Sequence, residues 1–485
     1  MTSATAQKAA RGGLITLVGQ GAKMVLLLVN LVVLGRLLTP QDFGLVAMVT
    51  AIVGVAELIR DFGITTASIQ APTLSRKQKS NLFLINTGLG LFLAAVSAAA
   101  SLPIAGLYDD QRLIPITLAI SCIFLLNGIQ AQYQVEMNRS LRFKALTLTD
   151  VVANSLALLA GITAALLGAG YWALVILQVT AALILLISRI AISNWHPGWP
   201  GPSGKVKKFL HYGGNLGVAQ FINYISANAP GVLIGYAFGP SILGAYSRAS
   251  QIATIPINQV FGPLTNVALT TLIRLSDDDH YNRSIVKIQL ILGYSAALAF
   301  SFVAAFASPL VDILLGHQWG AVVPLLQALC IGTAFQAATF VSYWVFLSKG
   351  QTSELLRYNL VTKGIVLALT VAGSFIGVAG AVWGYSLGLA LAWPISLMWM
   401  KKTNVPAMQL FLGGLRFFLV GACAAILGIL VPLIPNMPPL VGLIAGWSIG
   451  IVIPLVIPSV RRDVFSMTGV FMGLVSSKSR ILEAT

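Results

Sequence analysis

Charge is what this chain has least of: Asp, Glu, Lys and Arg together make up 9% of 485 residues, against 57% hydrophobic. A soluble domain spends about a quarter of its residues on charge, so a water-solvated fold is excluded. Cysteine and histidine are also sparse. Cys122, Cys330 and Cys423 all fall inside apolar runs, and the histidines are scattered at 196, 211, 280 and 317. That pattern indicates no disulfide frame, no zinc or other metal site and no Cys/His nucleophile. No GxxxxGK[ST] string occurs, so a phosphate loop for ATP hydrolysis is missing, and no nucleophile, base and metal converge on a catalytic centre. An enzyme is therefore not expected, and no cofactor.

Long apolar runs are what the chain has in abundance. Its mean hydropathy is +0.87, and the polar N-terminus MTSATAQKAARGG leads into a span too long for a cleaved signal peptide. The expected fold is an all-α polytopic membrane protein with about fourteen spans. They run near 13–35, 43–66, 81–104, 113–133, 146–167, 171–192, 209–237, 242–272, 286–308, 321–347, 358–376, 380–400, 413–434 and 440–459. The net charge of +16 could suggest nucleic acid, but Lys and Arg sit in short clusters between the runs, where they orient spans. With both termini cytoplasmic, 24 basic residues fall inside and two, Arg36 and Arg112, outside. No nucleic-acid partner is expected.

The chain also repeats itself. Gln20, Gly35, Pro40 and Gly44 recur as Gln220, Gly235, Pro240 and Gly244, an offset of 200. Each copy reads as a hairpin in which Gly closes one helix and Pro restarts the next. Six spans lie between the hairpins, an even number, so the repeat is parallel with its axis along the membrane normal. The expected organisation is a six-helix bundle over 1–193, a Pro/Gly-rich cytoplasmic linker over 194–208 and a second bundle over 209–402. An extra helix pair and a cytoplasmic tail would fill 403–485.

Seven charges are left inside apolar spans: Lys23, Glu57, Arg60, Asp61, Asp150, Arg248 and Lys363. A charge near mid-bilayer costs about 2.5 to 3.5 kcal/mol on insertion scales, so each should face protein or water. Helical spacing puts Gln20 with Lys23 on span 1, Gln220, Asn223 and Tyr224 together on span 7, and Arg248, Gln251 and Asn258 on span 8. Such stripes fit either a polar cavity or helix-packing glue. Lys23 and Arg248 have no acid within a helical turn, which leaves a cavity role or pairing with a distant carboxylate. Glu57, Arg60 and Asp61 can close on one another as an internal ion cluster. Asp150 can cap its own span, and Lys363 can snorkel to the surface. Cavity cations beside amides and aromatics suit an anionic headgroup bearing sugars.

The strings GRLLTPQDFGLVAM, LIRDFGITTASIQ, NRSLRFKALTLTD, IGYAFGPSILGAYSRASQIATIPINQVFGPLTNVA, GHQWGAVVPLLQAL and LSKGQTSELLR resemble the bacterial polysaccharide flippases. That family belongs to the multidrug/oligosaccharidyl-lipid/polysaccharide exporter superfamily. The resemblance runs over roughly residues 10–400 and implies two bundles in a V shape that alternate between inward-open and outward-open states in the bacterial cell membrane. The cargo it implies is an undecaprenyl-pyrophosphate-linked oligosaccharide, delivered to the outer leaflet. Membrane lipids and a polysaccharide polymerase complex are the further partners it implies. Related lipid flippases have cationic cavities lined by spans 1, 2, 7 and 8, which here carry Lys23, Arg60 and Arg248; Arg60 and Arg248 lie within the quoted strings. Lys363, Gln20, Gln220, Asn223, Tyr224, Gln251 and Asn258 complete the expected substrate contacts, with Glu57, Asp61 and Asp150 as ion-coupling candidates. An ion-coupled drug or cation antiporter of the same superfamily and a membrane glycosyltransferase or polymerase are the alternatives.

Overall fold

A computed structural model describes residues 3–60, 68–69, 74–199, 201, 207–275, 277–435 and 437–465, and every regular element among them is helical. Backbone alone is described at 3–14, 16–17, 58–60, 207–223, 266 and 401–402. In hydrocarbon each backbone N–H and C=O needs a partner within its own segment, and a helix provides one for all but its ends. Twelve helices among the described residues are at least 18 residues long and apolar enough to cross a membrane, from Val18–Leu37 to Pro439–Val456. The protein is a multi-pass helical membrane protein.

Contacts divide the chain into two compact units, Met1–Ser247 with Leu314–Gln318, and Arg248–Ile313 with Trp319–Thr485. In the first unit α1 (Ser3–Leu37) is followed by α2 (Pro40–Val53), α3 (Val55–Arg60), α4 (Arg76–Ala99) and α5 (Ser101–Tyr108). Then come α6 (Leu113–Arg139), α7 (Phe143–Leu166), α8 (Trp172–Ile192) and the long α9 (Lys207–Pro256). Helix α6 packs against both α4 and α8, and α7 packs against α8 and α1. The start of the expected linker is tied down on α4. Ser80 Oγ accepts from the Gly198 amide at 3.0 Å, Asn81 bonds Gly201 in both directions, and Trp195 packs edge-on against Phe83 and Tyr133.

The repeated hairpins show how local chemistry sets the chain's turns. Thr39 caps α2 reciprocally with Asp42: the Asp42 amide donates to Thr39 Oγ1 and the Thr39 amide to Asp42 Oδ2 at 2.9 Å. Pro40 restarts the helix at its first position, as its spacing predicts. The expectation that Gly35 and Gly235 close the preceding helices is corrected. Both lie inside helices, Gly35 against Leu315 and Gly235 against Leu243 and Tyr108, where a larger residue would crowd its neighbours. In the second copy the break falls at Gly239, whose φ of 79° is open to glycine at little cost, immediately before Pro240. Gly44 and Gly244 supply a close approach. A Cβ on Gly44 would sit 1.7 Å from the Pro240 carbonyl oxygen, and one on Gly244 would sit 1.8 Å from that of Pro40. The two copies lock onto each other backbone to backbone.

The second unit continues from Arg248 through a π turn at Ile257–Phe261 into α10 (Gly262–Ile273). It then runs through α11 (Asp278–Ala305), α12 (Ala307–Leu314), α13 (Val322–Ser348), α14 (Thr352–Ser374), α15 (Val378–Trp399), α16 (Ala407–Leu430) and α17 (Pro439–Val452). Helix α13 packs on α11 and α15, α14 on α15, and α16 on α11 and α17. Its core is aromatic: Trp344, Trp393, Phe346 and Phe417 are almost wholly buried, and Trp393 stacks on Phe411. Past α17, Asp463 accepts from Tyr294 at 3.1 Å and pairs with Arg416 Nε at 2.9 Å, anchoring the chain to α11 and α16. Burial pushes the Asp463 carboxyl above the usual range despite the Arg416 guanidinium.

Candidate functional site

Three charges from three helices meet in the first unit. Lys23 of α1 places Nζ 2.5 Å from Asp150 Oδ2 of α7, and Arg189 of α8 places a guanidinium nitrogen 2.8 Å from Asp150 Oδ1. Each oxygen of one carboxylate therefore holds a different cation. Arg189 is 3% exposed, Asp150 22% and Lys23 36%. Amides of α6 take a second guanidinium nitrogen: Arg189 donates to Gln130 and to Gln134 Oε1 at 3.0 Å, and Gln130 leans on Asn127 at 3.5 Å, while the buried Arg189 Nε has no hydrogen-bond partner among the described residues. A polar ladder results, from Asn127 through Gln130, Arg189 and Asp150 to Lys23. Two cations and one carboxylate leave it with a formal charge of +1, and Lys23 is its open end.

Local sequence explains how the ladder is held. Asn127, Gln130 and Gln134 recur at i, i+3 and i+7 and so share one face of α6. Arg189 lies one turn before the end of α8, long enough in side chain to reach back into the packed interface. Asp150 sits two turns into α7, whose Asn154 bonds back to the Asp150 carbonyl at 2.7 Å. An arginine with no carboxylate at this depth would be costly, and Asp150 removes most of that cost.

The other expected residues of the first unit are placed as follows. Gln20 is exposed on α1, and Glu57 is exposed in the first turn of α3. The Tyr224 hydroxyl donates to the Thr50 carbonyl at 3.0 Å and approaches that of Ala51 at 3.2 Å, in a space left by Gly54. Its hydroxyl thus satisfies carbonyls where α2 gives way to α3, and Glu57 lies within electrostatic reach of it. Asp61 lies outside the described residues, and the side chains of Arg60, Gln220 and Asn223 are likewise outside what the structure describes.

In the second unit Arg248 and Gln251 are half-buried, and Gln251 Oε1 is enclosed with no hydrogen-bond partner among the described residues. Asn258 is exposed on the π turn, where five residues take the place of an α turn. The α-helical spacing of this polar stripe runs to Pro256 and changes period from Ile257 onward. Lys363 is half-buried on α14, whose Thr362 and Thr370 hydroxyls bond back to Tyr358 and Val366 of the same helix. Sequence reasoning missed Arg189, Gln130 and Gln134. Arg189 reads as a loop charge because it is the last cation of its helix, whereas the amide triplet on α6 was a readable signal.

Fold and site define a polytopic helical membrane protein with a buried cationic ladder. Residues 33–324 match the family described as "Polysaccharide biosynthesis protein", and the chain belongs to that family. Among curated relatives, it is 26% identical over 429 residues to the teichuronic acid biosynthesis protein TuaB of Bacillus subtilis, covering 83% of this chain and 84% of that one. It is 23% identical to the lipopolysaccharide biosynthesis protein WzxC of Escherichia coli, with 74% of each chain covered, and 25% identical to the succinoglycan biosynthesis transport protein ExoT of Rhizobium meliloti, with 72% of each. The fold is similar to an inward-facing multidrug resistance transporter of the MATE family, a member of the MOP superfamily. There the TM-score is 0.59 at 14% identity, over 80% of this chain and 94% of that one.

Proposed function

We propose that the protein is a flippase that carries an undecaprenyl-pyrophosphate-linked oligosaccharide from the cytoplasmic to the outer leaflet of the bacterial cell membrane, by alternating access. The observation that carries this reading is the Lys23–Asp150–Arg189 ladder: a net positive site in an apolar protein, closed at its arginine and open at its lysine. A pyrophosphate accepts hydrogen bonds on several oxygens and is the kind of anion that lysine binds as a point charge. On approach, it would compete with Asp150 for Lys23 while Arg189 keeps Asp150 from becoming an uncompensated buried charge. The exposed Gln20 amide of α1 is a proposed partner of sugar hydroxyls. About two negative charges on the headgroup would travel outward down an inside-negative potential, worth about 2.3 kcal/mol per charge per 100 mV.

In the second unit Arg248, Lys363, Gln251 and Asn258 are the proposed further contacts to the cargo, with Arg60, Gln220, Asn223 and Tyr224 in the first. Glu57 and Asp61 are the proposed ion-coupling carboxylates. The test is made in cells of the producing bacterium with the gene deleted. Lipid-linked oligosaccharide should accumulate on the inner leaflet, inaccessible to an external glycosidase, and surface polysaccharide should fall. Normal surface polysaccharide with no such accumulation would refute the reading.

A further inference from the structure

Helix α11 begins with a strongly polar turn and only then becomes apolar. From Ile288 to Ala305 it carries no charge, while Asp278, Asp279, Arg283 and Lys287 all precede that stretch. Lys287 therefore marks where hydrocarbon can begin, and Arg283, one turn earlier, lies about 6 Å further out along the axis. At this level an open groove of about 660 Å³ runs between the start of α11 and the loop leading into α16. The loop is fixed on α11 by Asn282, which donates to the Asn404 carbonyl at 3.1 Å, and the first turn of α16 by Gln289, which donates to the carbonyl of Leu410.

The groove is layered. Arg283 and Lys287 are both exposed on its polar side, and Val286, Leu290 and Pro406 line its apolar side. Among the described residues neither cation pairs with a carboxylate; the Arg283 Nε donates to the Asp279 carbonyl at 3.2 Å. Asp279 is the one acid in the lining, so the groove keeps a formal charge of +1. Two cations at headgroup depth directly over an apolar floor match one ligand shape, a phosphate with acyl chains attached. Soluble anions would find the cations but leave the floor wet.

We infer that this groove in the second unit is a binding site for an anionic phospholipid of the surrounding bilayer, distinct from the cargo site. Arg283 and Lys287 hold the phosphate, and an acyl chain lies along Val286 and Leu290. Such a lipid would brace the loop that joins α15 to α16.

The experiment uses the purified full-length protein in neutral detergent, titrated with phosphatidylglycerol or phosphatidylcholine and read by native mass spectrometry. Wild type should bind phosphatidylglycerol at least about tenfold more tightly, since each basic residue near a headgroup contributes about fivefold. Arg283→Gln with Lys287→Gln should bring the two lipids within about twofold of each other. Asp279→Asn should instead tighten phosphatidylglycerol binding, a gain that no folding defect would imitate. Equal binding of both lipids by wild type, or an unchanged preference in the double variant, overturns the inference. Full displacement of the lipid by millimolar inorganic phosphate would also overturn it, by showing a soluble-anion site.

Discussion

At the scale of single residues the molecule depends on one carboxylate serving two cations. Removing that carboxylate is harsher than removing Lys23. Asp150→Asn leaves Lys23 and the 3% exposed Arg189 facing one another without counter-charge. Breaking a buried pair from one side costs about 3 to 5 kcal/mol, so this variant should lose several degrees of thermal stability in detergent. Lys23→Ala keeps the Asp150–Arg189 pair and should unfold close to wild type. An Asp150→Asn protein as stable as wild type would mean that the pairing contributes nothing. The sequence shows that Lys23 and Asp150 are misplaced for an apolar span, because the cost of a buried charge is local. It does not show that they meet, since 127 residues separate them and pairing is a property of helix packing. Arg189 is harder still to read: a cation near a helix end is as compatible with water as with burial, and only the amides of α6 tip the balance.

Among elements, the repeated hairpins are where sequence and structure speak most directly to each other. Pro40 and its Thr39/Asp42 cap are readable because capping is short-range chemistry. The purpose of Gly44 and Gly244 is not readable, because it lies in another segment 200 residues away. Each is needed so that the other hairpin's proline carbonyl can come within contact distance. Gly44→Ala should therefore cost about 1 to 3 kcal/mol or more, through forced separation of the hairpins. Gly21→Ala, with no atom within 4 Å of the added methyl, should be neutral or stabilising by about 0.5 to 1 kcal/mol. Thermal unfolding of both variants checks this, and equal effects would show that the close approach is not tight. The π turn at Ile257–Phe261 marks the opposite limit. Wheel arithmetic carries the polar stripe of the eighth span past Pro256, where the helix changes period.

For the whole molecule, composition was decisive and specific contacts were not. Scarce charge, long apolar runs and the flippase-like strings led to a polytopic helical protein of the polysaccharide biosynthesis family, and both conclusions hold. Apolar length is a summed property and survives any arrangement of the spans. Cargo recognition depends on a few side chains, and its central claim is that Lys23 is the open end of a cationic ladder that takes up a phosphorylated lipid. The direct measurement reconstitutes wild type and Lys23→Ala in vesicles loaded with a fluorescent undecaprenyl-pyrophosphate-linked oligosaccharide, and follows its appearance in the opposite leaflet. The account predicts rapid transfer by wild type and at least about a tenfold loss in a Lys23→Ala protein that remains folded. Transfer at the wild-type rate by that variant would contradict it.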